Sequence, residues 1–344
     1  MSYDILHDTG LAAVADGDKV TVYFQLSDGL LGEATSSSNG YWKIHPIQNL
    51  SGQAPKLYTP IAALIGRNKQ RHLFYINQNN YLSEAIYKPD DKKWSIGGLP
   101  YQSIAPAQYS KIAAAKSFDG KDHIYVFYQT ADINGAIRQV IFKEPSWIQD
   151  YRNLGDDVLT GTGLAAVGAD LGTDISNNNT ENPPVAFFQQ NTLGLAWLQD
   201  TSTRIIDDVD PEASPHTPLA VTGSRDSNVA IKSDLFYTSI SNIIQRLAVN
   251  ANGKKYGSIK DVIATTPKGN LAAVVAKKRT GTKNVDQVIV IYQIADETVP
   301  QGQSVPGSTY PKVSLYQTSY TVTESDEGEE LSRSEFEHEL LRFE

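Results

Sequence analysis

The chain has 344 residues, a net charge of −9 and no cysteine. Disulfides and thiolate metal sites are therefore excluded. No apolar run reaches membrane-spanning length, so no transmembrane helix is expected.

The charge is uneven. Residues 324–344 carry nine acidic and two basic side chains, a net of −7, which leaves −2 for the other 323 residues. A near-neutral body offers no basic face to nucleic acid, so no such partner is expected. The opening MSYDILHDTG has no basic region followed by an apolar stretch. It does not read as a secretory signal, so a cytoplasmic protein is expected and the sequons at Asn49 and Asn178 carry little weight.

In chain order, the first apolar phrase is TGLAAV at Thr9–Val14. It returns as PIAAL (60–64), KIAAA (111–115), TGLAAV (162–167), PLAVT (218–222) and NLAAV (270–274). The anchors are Leu11, Ile61, Ile112, Leu164, Leu219 and Leu271, spaced by 50, 51, 52, 55 and 52 residues. A fixed period of this size marks a repeat architecture.

Behind each phrase comes a β-branched and aromatic run: VTVYFQ (20–25), HLFYIN (72–77), IYVFYQ (124–129), PVAFFQ (184–189), SDLFYT (233–238) and VIVIYQ (288–293). These are strand signals, followed by turns such as LSDG, NQNN and ADING. A third segment reads LLGEA, YLSEA, AIRQV, LGLAW and IIQRL. A fourth opens at Trp42, Trp94, Trp147 and Tyr256. Four short strands per unit, six times over, predict an all-β, six-bladed β-propeller over residues 1–323. Inner strands crowd the axis, which explains alanine there, and the anchor leucines and isoleucines are expected between blades.

A polar insertion occupies 168–184, and the sixth unit is interrupted by TVPQGQSVPGSTYP. SYDIL near the start is expected to complete the last blade beside Pro311–Val322. Residues 324–344 form an acidic tail with two readings, a solvated segment or a short docked helix. The helix reading rests on the capping-box spacing of Ser332 and Glu335 and on Phe336, Leu340 and Phe343 near one face.

Several motifs are set aside. GTGLAA at 161–166 fits a dinucleotide pattern, yet it is the fourth repeat phrase and enters a strand. The histidines at 7, 45, 72, 123, 216 and 338 form no H-x-x-x-H pair, so no metal site is assigned. DDVD at 207–210 lacks the glycine and terminal glutamate of an EF-hand.

Small phrase, V-Y-F-Q run, L-x-E-A run and tryptophan together resemble the fungal fucose-specific lectins over residues 5–320. The resemblance implies sugar pockets between adjacent blades. Each needs an arginine just before the second-strand aromatics, a glutamate in the third strand and an aromatic platform. The glutamate is present as Glu33 and Glu84, and Trp42 and Trp94 are present. The arginine place holds Thr21, His72, Tyr125, Val185 and Asp234 in the first five units. The glutamate place holds Gln139, Trp197 and Arg246 in units three to five. Arg71 stands one residue off register, which turns it to the other face of its strand.

Two functions follow from this resemblance. The first is a cofactor-free hetero-Diels–Alderase of fungal secondary metabolism, joining a quinone-methide-type polyketide to a humulene-type terpene. It needs a pocket for apolar substrates and a polarising donor. Its candidate catalytic residues are Lys116, Arg225, Lys277 and Arg67, with Tyr23, Phe74, Tyr128, Phe188 and Trp197 as the wall. The second is a lectin for a fucosylated glycan, with altered sites at Glu33, Glu84, His72, Trp42 and Trp94. Neither requires a metal or cofactor.

Overall fold

The computed structural model describes residues 4–343 except 37–40, 118–120, 132–134, 156, 169–182, 201, 207–212, 225–231, 250–258, 267–268, 281–282, 296–312, 324–331 and 334–335. These residues form six sheets, antiparallel except for one terminal pairing in the first, numbered blades 1 to 6 in chain order. The second blade is representative: an inner strand Ile61–Ile65, a second strand Arg71–Ile76, a third strand Leu82–Lys88 and an outer strand Lys93–Ile96. The inner strand of each blade touches those of its two neighbours, and the sixth touches the first, so the ring is closed. No helix among the described residues is long and apolar enough to cross a membrane.

The core consists of six apolar clusters, one at each interface between blades. The repeat phrase explains this layout. Side chains alternate between the two faces of a strand. Each anchor packs toward the preceding blade, and the alanine after it packs toward the following one: Ile61 joins the blade 1–2 cluster and Ala62 the 2–3 cluster. Space near the axis is short. A Cβ on Gly163 would lie 2.2 Å from the Thr217 carbonyl oxygen of the next blade.

Two polar devices recur. Thr9, Thr59, Ser110, Thr162 and Thr217 stand two residues before the anchors. Their buried hydroxyls accept the backbone N–H of Gln25, Ile76, Gln129, Gln189 and Thr238 at 2.6–2.8 Å. Each pins the entry of its inner strand to the end of the second strand. The glutamine closing the second strand ties one blade to the next: Gln25 donates to the Lys56 carbonyl, Gln129 to Leu159 and Gln189 to Ser214, at 3.0–3.2 Å. The buried threonine and serine hydroxyls and the glutamine N–H donors are thereby satisfied at the most crowded part of the ring.

Two expectations about the ends need correction. The described part of SYDIL does not join the last blade, since Ile5 bridges to Leu26 of blade 1; Ser2 and Tyr3 lie outside the described residues. The described part of residues 332–343 is extended, not helical. Glu337–Leu340 pairs antiparallel with Val313–Thr323 and forms the outer strand of blade 6, while Ser332–Arg333 pairs at that strand's far end. Arg342–Phe343 then runs parallel to Tyr41–Pro46 of blade 1, at Tyr41 and Trp42. An open strand edge and an apolar cluster around Trp42 satisfy this segment better than a lone helical turn could. Leu341 is buried in the blade 6–1 cluster with Trp42, and Phe343 packs against that cluster.

Candidate functional site

At the blade 1–2 interface, Tyr23 and Glu33 are cross-strand neighbours on blade 1. Opposite them, Arg71, Tyr87 and Trp94 lie side by side across three strands of blade 2. Arg71 Nη1 donates to Glu33 Oε2 at 2.7 Å and to the Tyr23 hydroxyl at 3.2 Å. Trp94 Nε1 reaches Glu33 Oε1 at 3.5 Å. The guanidinium stacks on Tyr87, 4.0 Å from the ring centre. The side chains of Arg71 and Glu33 remain 16 % and 12 % exposed, so the cluster is open to solvent. Burial alone would lower the Arg71 pKa, but Tyr23 and Glu33 outweigh it and raise it. Burial pushes the Tyr23 hydroxyl far up, so it stays protonated.

The one-residue offset of Arg71 does turn it away from Glu84, and that face brings it to Glu33. Glu33, whose own unit has no arginine at the second-strand place, thus meets an arginine of the next blade.

The blade 2–3 interface holds Glu84 and His72, with His72 Nδ1 2.8 Å from Glu84 Oε1. Glu84 Oε2 accepts from the Gly98 N–H at 3.0 Å, Leu99 N–H at 3.4 Å and Trp147 Nε1 at 3.2 Å. Glu84 is 2 % exposed and has spent its acceptor capacity within the protein. Gly97 is required there, because a Cβ would fall 2.2 Å from Glu84 Oε2.

The blade 5–6 interface repeats the pattern with the charges exchanged. Asp234 occupies the second-strand place and Arg246 the third-strand place. Arg246 Nη2 donates to Asp234 Oδ1 at 2.7 Å, and the Tyr320 hydroxyl donates to Asp234 Oδ2. Arg246 lies over the Tyr320 ring at 5.3 Å. Tyr320 meets Phe336 edge-on at 5.1 Å, and in blade 2 Tyr87 meets Trp94 at 5.5 Å in a tilted arrangement.

Among the described residues, the other interfaces show no second-strand and third-strand charge pair of this kind; at blade 3–4 an exposed pair, Arg152 with Asp200 at 2.8 Å, crosses between blades instead. Gln139 donates to Asp150 of its own blade at 2.9 Å. Trp197 fills the blade 4–5 position and lies 5.5 Å from Arg204. Trp42 sits at the blade 6–1 interface under Leu341, apart from Glu33. The lectin candidates therefore separate into Glu33 with Trp94, Glu84 with His72, and Trp42 alone.

The candidates of the cycloaddition reading are dispersed. Tyr23 belongs to the blade 1–2 cluster, Phe74 and Tyr128 to 2–3, Phe188 to 3–4 and Trp197 to 4–5. All five are buried. Lys116 and Arg67 are brought together by Asp122, at 2.5 and 3.0 Å, and Arg67 also pairs with Glu144 at 2.5 Å. Lys277 pairs with Asp286 in blade 6. Arg225 and Tyr256, like the DDVD turn and most of the 168–184 insertion, lie outside the described residues.

Sequence reasoning passed over Tyr87, Trp147, Tyr320 and Phe336 as site residues. An aromatic three positions after each glutamate place in units two and three (Tyr87, Phe142) was the available signal.

Comparison with known proteins agrees with this architecture. A fucose-specific lectin of Aleuria aurantia is 29 % identical over 179 residues, 49 % of this chain and 56 % of that lectin. The chain thus spans little more than half of that relative. A fucose-specific lectin of Aspergillus oryzae is 24 % identical over 283 residues, covering 79 % of this chain and 85 % of that lectin. Among solved structures, AofleA from Arthrobotrys oligospora superimposes with a TM-score of 0.71 at 20 % identity, covering 100 % of this chain and 92 % of that one. The six-bladed propeller of the Aleuria aurantia lectin gives 0.68 at 19 %, covering 99 % and 98 %. The family model described as fungal fucose-specific lectin matches residues 5–320. With six blades and a charged aromatic cleft between them, the chain belongs to the fungal fucose-specific lectin family.

Proposed function

We propose that this protein is a glycan-binding lectin whose working site is the blade 1–2 cleft, with a fucose-bearing sugar as ligand. One observation carries this: Glu33, Arg71 and Trp94 converge from two blades in a cluster that solvent still reaches. Glu33 retains acceptor capacity for sugar hydroxyls, and Arg71 retains N–H donors for hydroxyl and ring oxygens. Trp94, largely buried beside Tyr87, forms the aromatic wall of the cleft against which an apolar sugar face would rest. The relatives named fucose-specific lectins support fucose as the sugar.

The cycloaddition enzyme is the less supported alternative. It requires one cavity lined by aromatics and a free polarising cation. Its aromatics are distributed over four interfaces, and its described cations are paired with carboxylates.

Calorimetric titration with methyl α-L-fucoside at millimolar concentration tests the proposal. Saturable heat that disappears in Glu33→Gln supports it. No heat from the folded wild-type protein, or undiminished binding by Glu33→Gln, overturns it.

A further inference from the structure

The exchanged charges between blades 5 and 6 change what a ligand must bring. We propose that this interface is a second ligand site, and that it takes a carboxylated sugar, a hexuronate or a sialate. The proposal rests on the reading that these interfaces face sugars, and on an observation independent of the blade 1–2 cleft.

Asp234 is engaged on both oxygens, by Arg246 Nη2 and by the Tyr320 hydroxyl. It has little left to offer a sugar hydroxyl. Arg246 is in the opposite condition. It is 3 % exposed, one nitrogen is committed to Asp234, and its Nε is buried with no hydrogen-bond partner among the described residues. An unpaired buried N–H is a standing cost that an incoming acceptor removes. The acceptor that matches a guanidinium in charge and planarity is a carboxylate. Arg246 would then bridge two carboxylates, one from Asp234 and one from the ligand.

An aromatic pair completes the site. Tyr320 and Phe336 occupy the places that Tyr87 and Trp94 hold in blade 2. Phe336 is half-buried and is the most accessible member of the cluster, so the ligand approaches past it. The two interfaces therefore ask for opposite partners. Glu33 favours hydroxyl donors from a neutral sugar. The unspent Arg246 donor favours the acceptor of an acidic one.

The experiment is calorimetric titration of the full chain at low ionic strength with methyl β-D-glucuronoside and, separately, with the α-methyl glycoside of N-acetylneuraminic acid. The methyl ester of each acid is the neutral control. Saturable heat from at least one acid, absent with its ester, is expected. Arg246→Lys keeps the positive charge but loses the fork, and should weaken that binding by about tenfold or more. Glu33→Gln should leave it unchanged. No saturable heat from either acid, equal binding of acid and ester, or full retention by Arg246→Lys overturns the proposal. Because the wild-type titration already decides, the proposal stays testable if Arg246→Lys fails to fold. A wild-type protein that binds an acid but no fucoside counts against the blade 1–2 site alone, and one that binds fucoside but neither acid counts against this one.

Discussion

Arg71 and Glu33 lie 38 residues apart in the chain and in different blades, yet their side chains meet at 2.7 Å. A cation and an anion that interlock across a seam hold two blades together and present both charges to one cleft. The same contact therefore bears on stability and on binding.

Removing either partner leaves the other poorly solvated. Arg71→Met and Glu33→Gln should each destabilise the fold by about 1–3 kcal/mol. The double variant should cost less than the sum, because both changes remove one interaction. Urea unfolding of the three variants checks this, and an additive double variant would contradict it.

Glu84 should behave differently. Glu84→Ala strands the donors of Gly98, Leu99 and Trp147 in a buried site. A loss of about 2–5 kcal/mol is expected, with fucoside affinity unchanged once the protein is folded. Thermal melting and titration of the same sample separate the two effects.

Acid stability should depend on Asp150. Partial burial would raise its pKa, but hydrogen bonds from Arg152 and Gln139 prevail and hold it at about 2, below the ordinary 3.8. A depressed carboxyl stabilises the fold fully above its unfolded value and loses that contribution as pH falls through the folded one. Wild-type stability should therefore drop between about pH 4 and pH 2 more steeply than that of Asp150→Asn. Urea midpoints across that range test the difference, and equal slopes would refute it.

Leu341→Ala should cost about 2–5 kcal/mol, since Leu341 is 3 % exposed within the blade 6–1 cluster. Tryptophan fluorescence should report a loosened environment around Trp42. A change below about 0.5 kcal/mol would mean that the segment contributes little to closure.

The propeller was legible because its signal is periodic: six anchors at nearly equal spacing leave few other folds. The sites were legible only in part. Register along one strand put Glu33 and Glu84 in the third strands of their blades, but it could not show which blade faces which. Register turned Arg71 to the other face of its strand, but nothing in the sequence showed that this face meets Glu33 of the neighbouring blade. Trp42 and Glu33 share a unit in sequence and point into different interfaces. Phe336 and Leu340 have helical spacing, but the unpaired edge of Val313–Thr323 outweighed that local preference. Tertiary pairing of this kind leaves no trace in a short window.

The pairing of Arg342–Phe343 with Tyr41 and Trp42 joins residues about 300 positions apart. During synthesis, blade 1 emerges long before the residues that cover its outer edge are made. Until then Trp42 and its strand edge stay uncovered, available to another nascent chain. The slow step in making this protein should thus be final closure rather than blade formation, and chaperone demand should peak just before the last residues of the strap leave the ribosome.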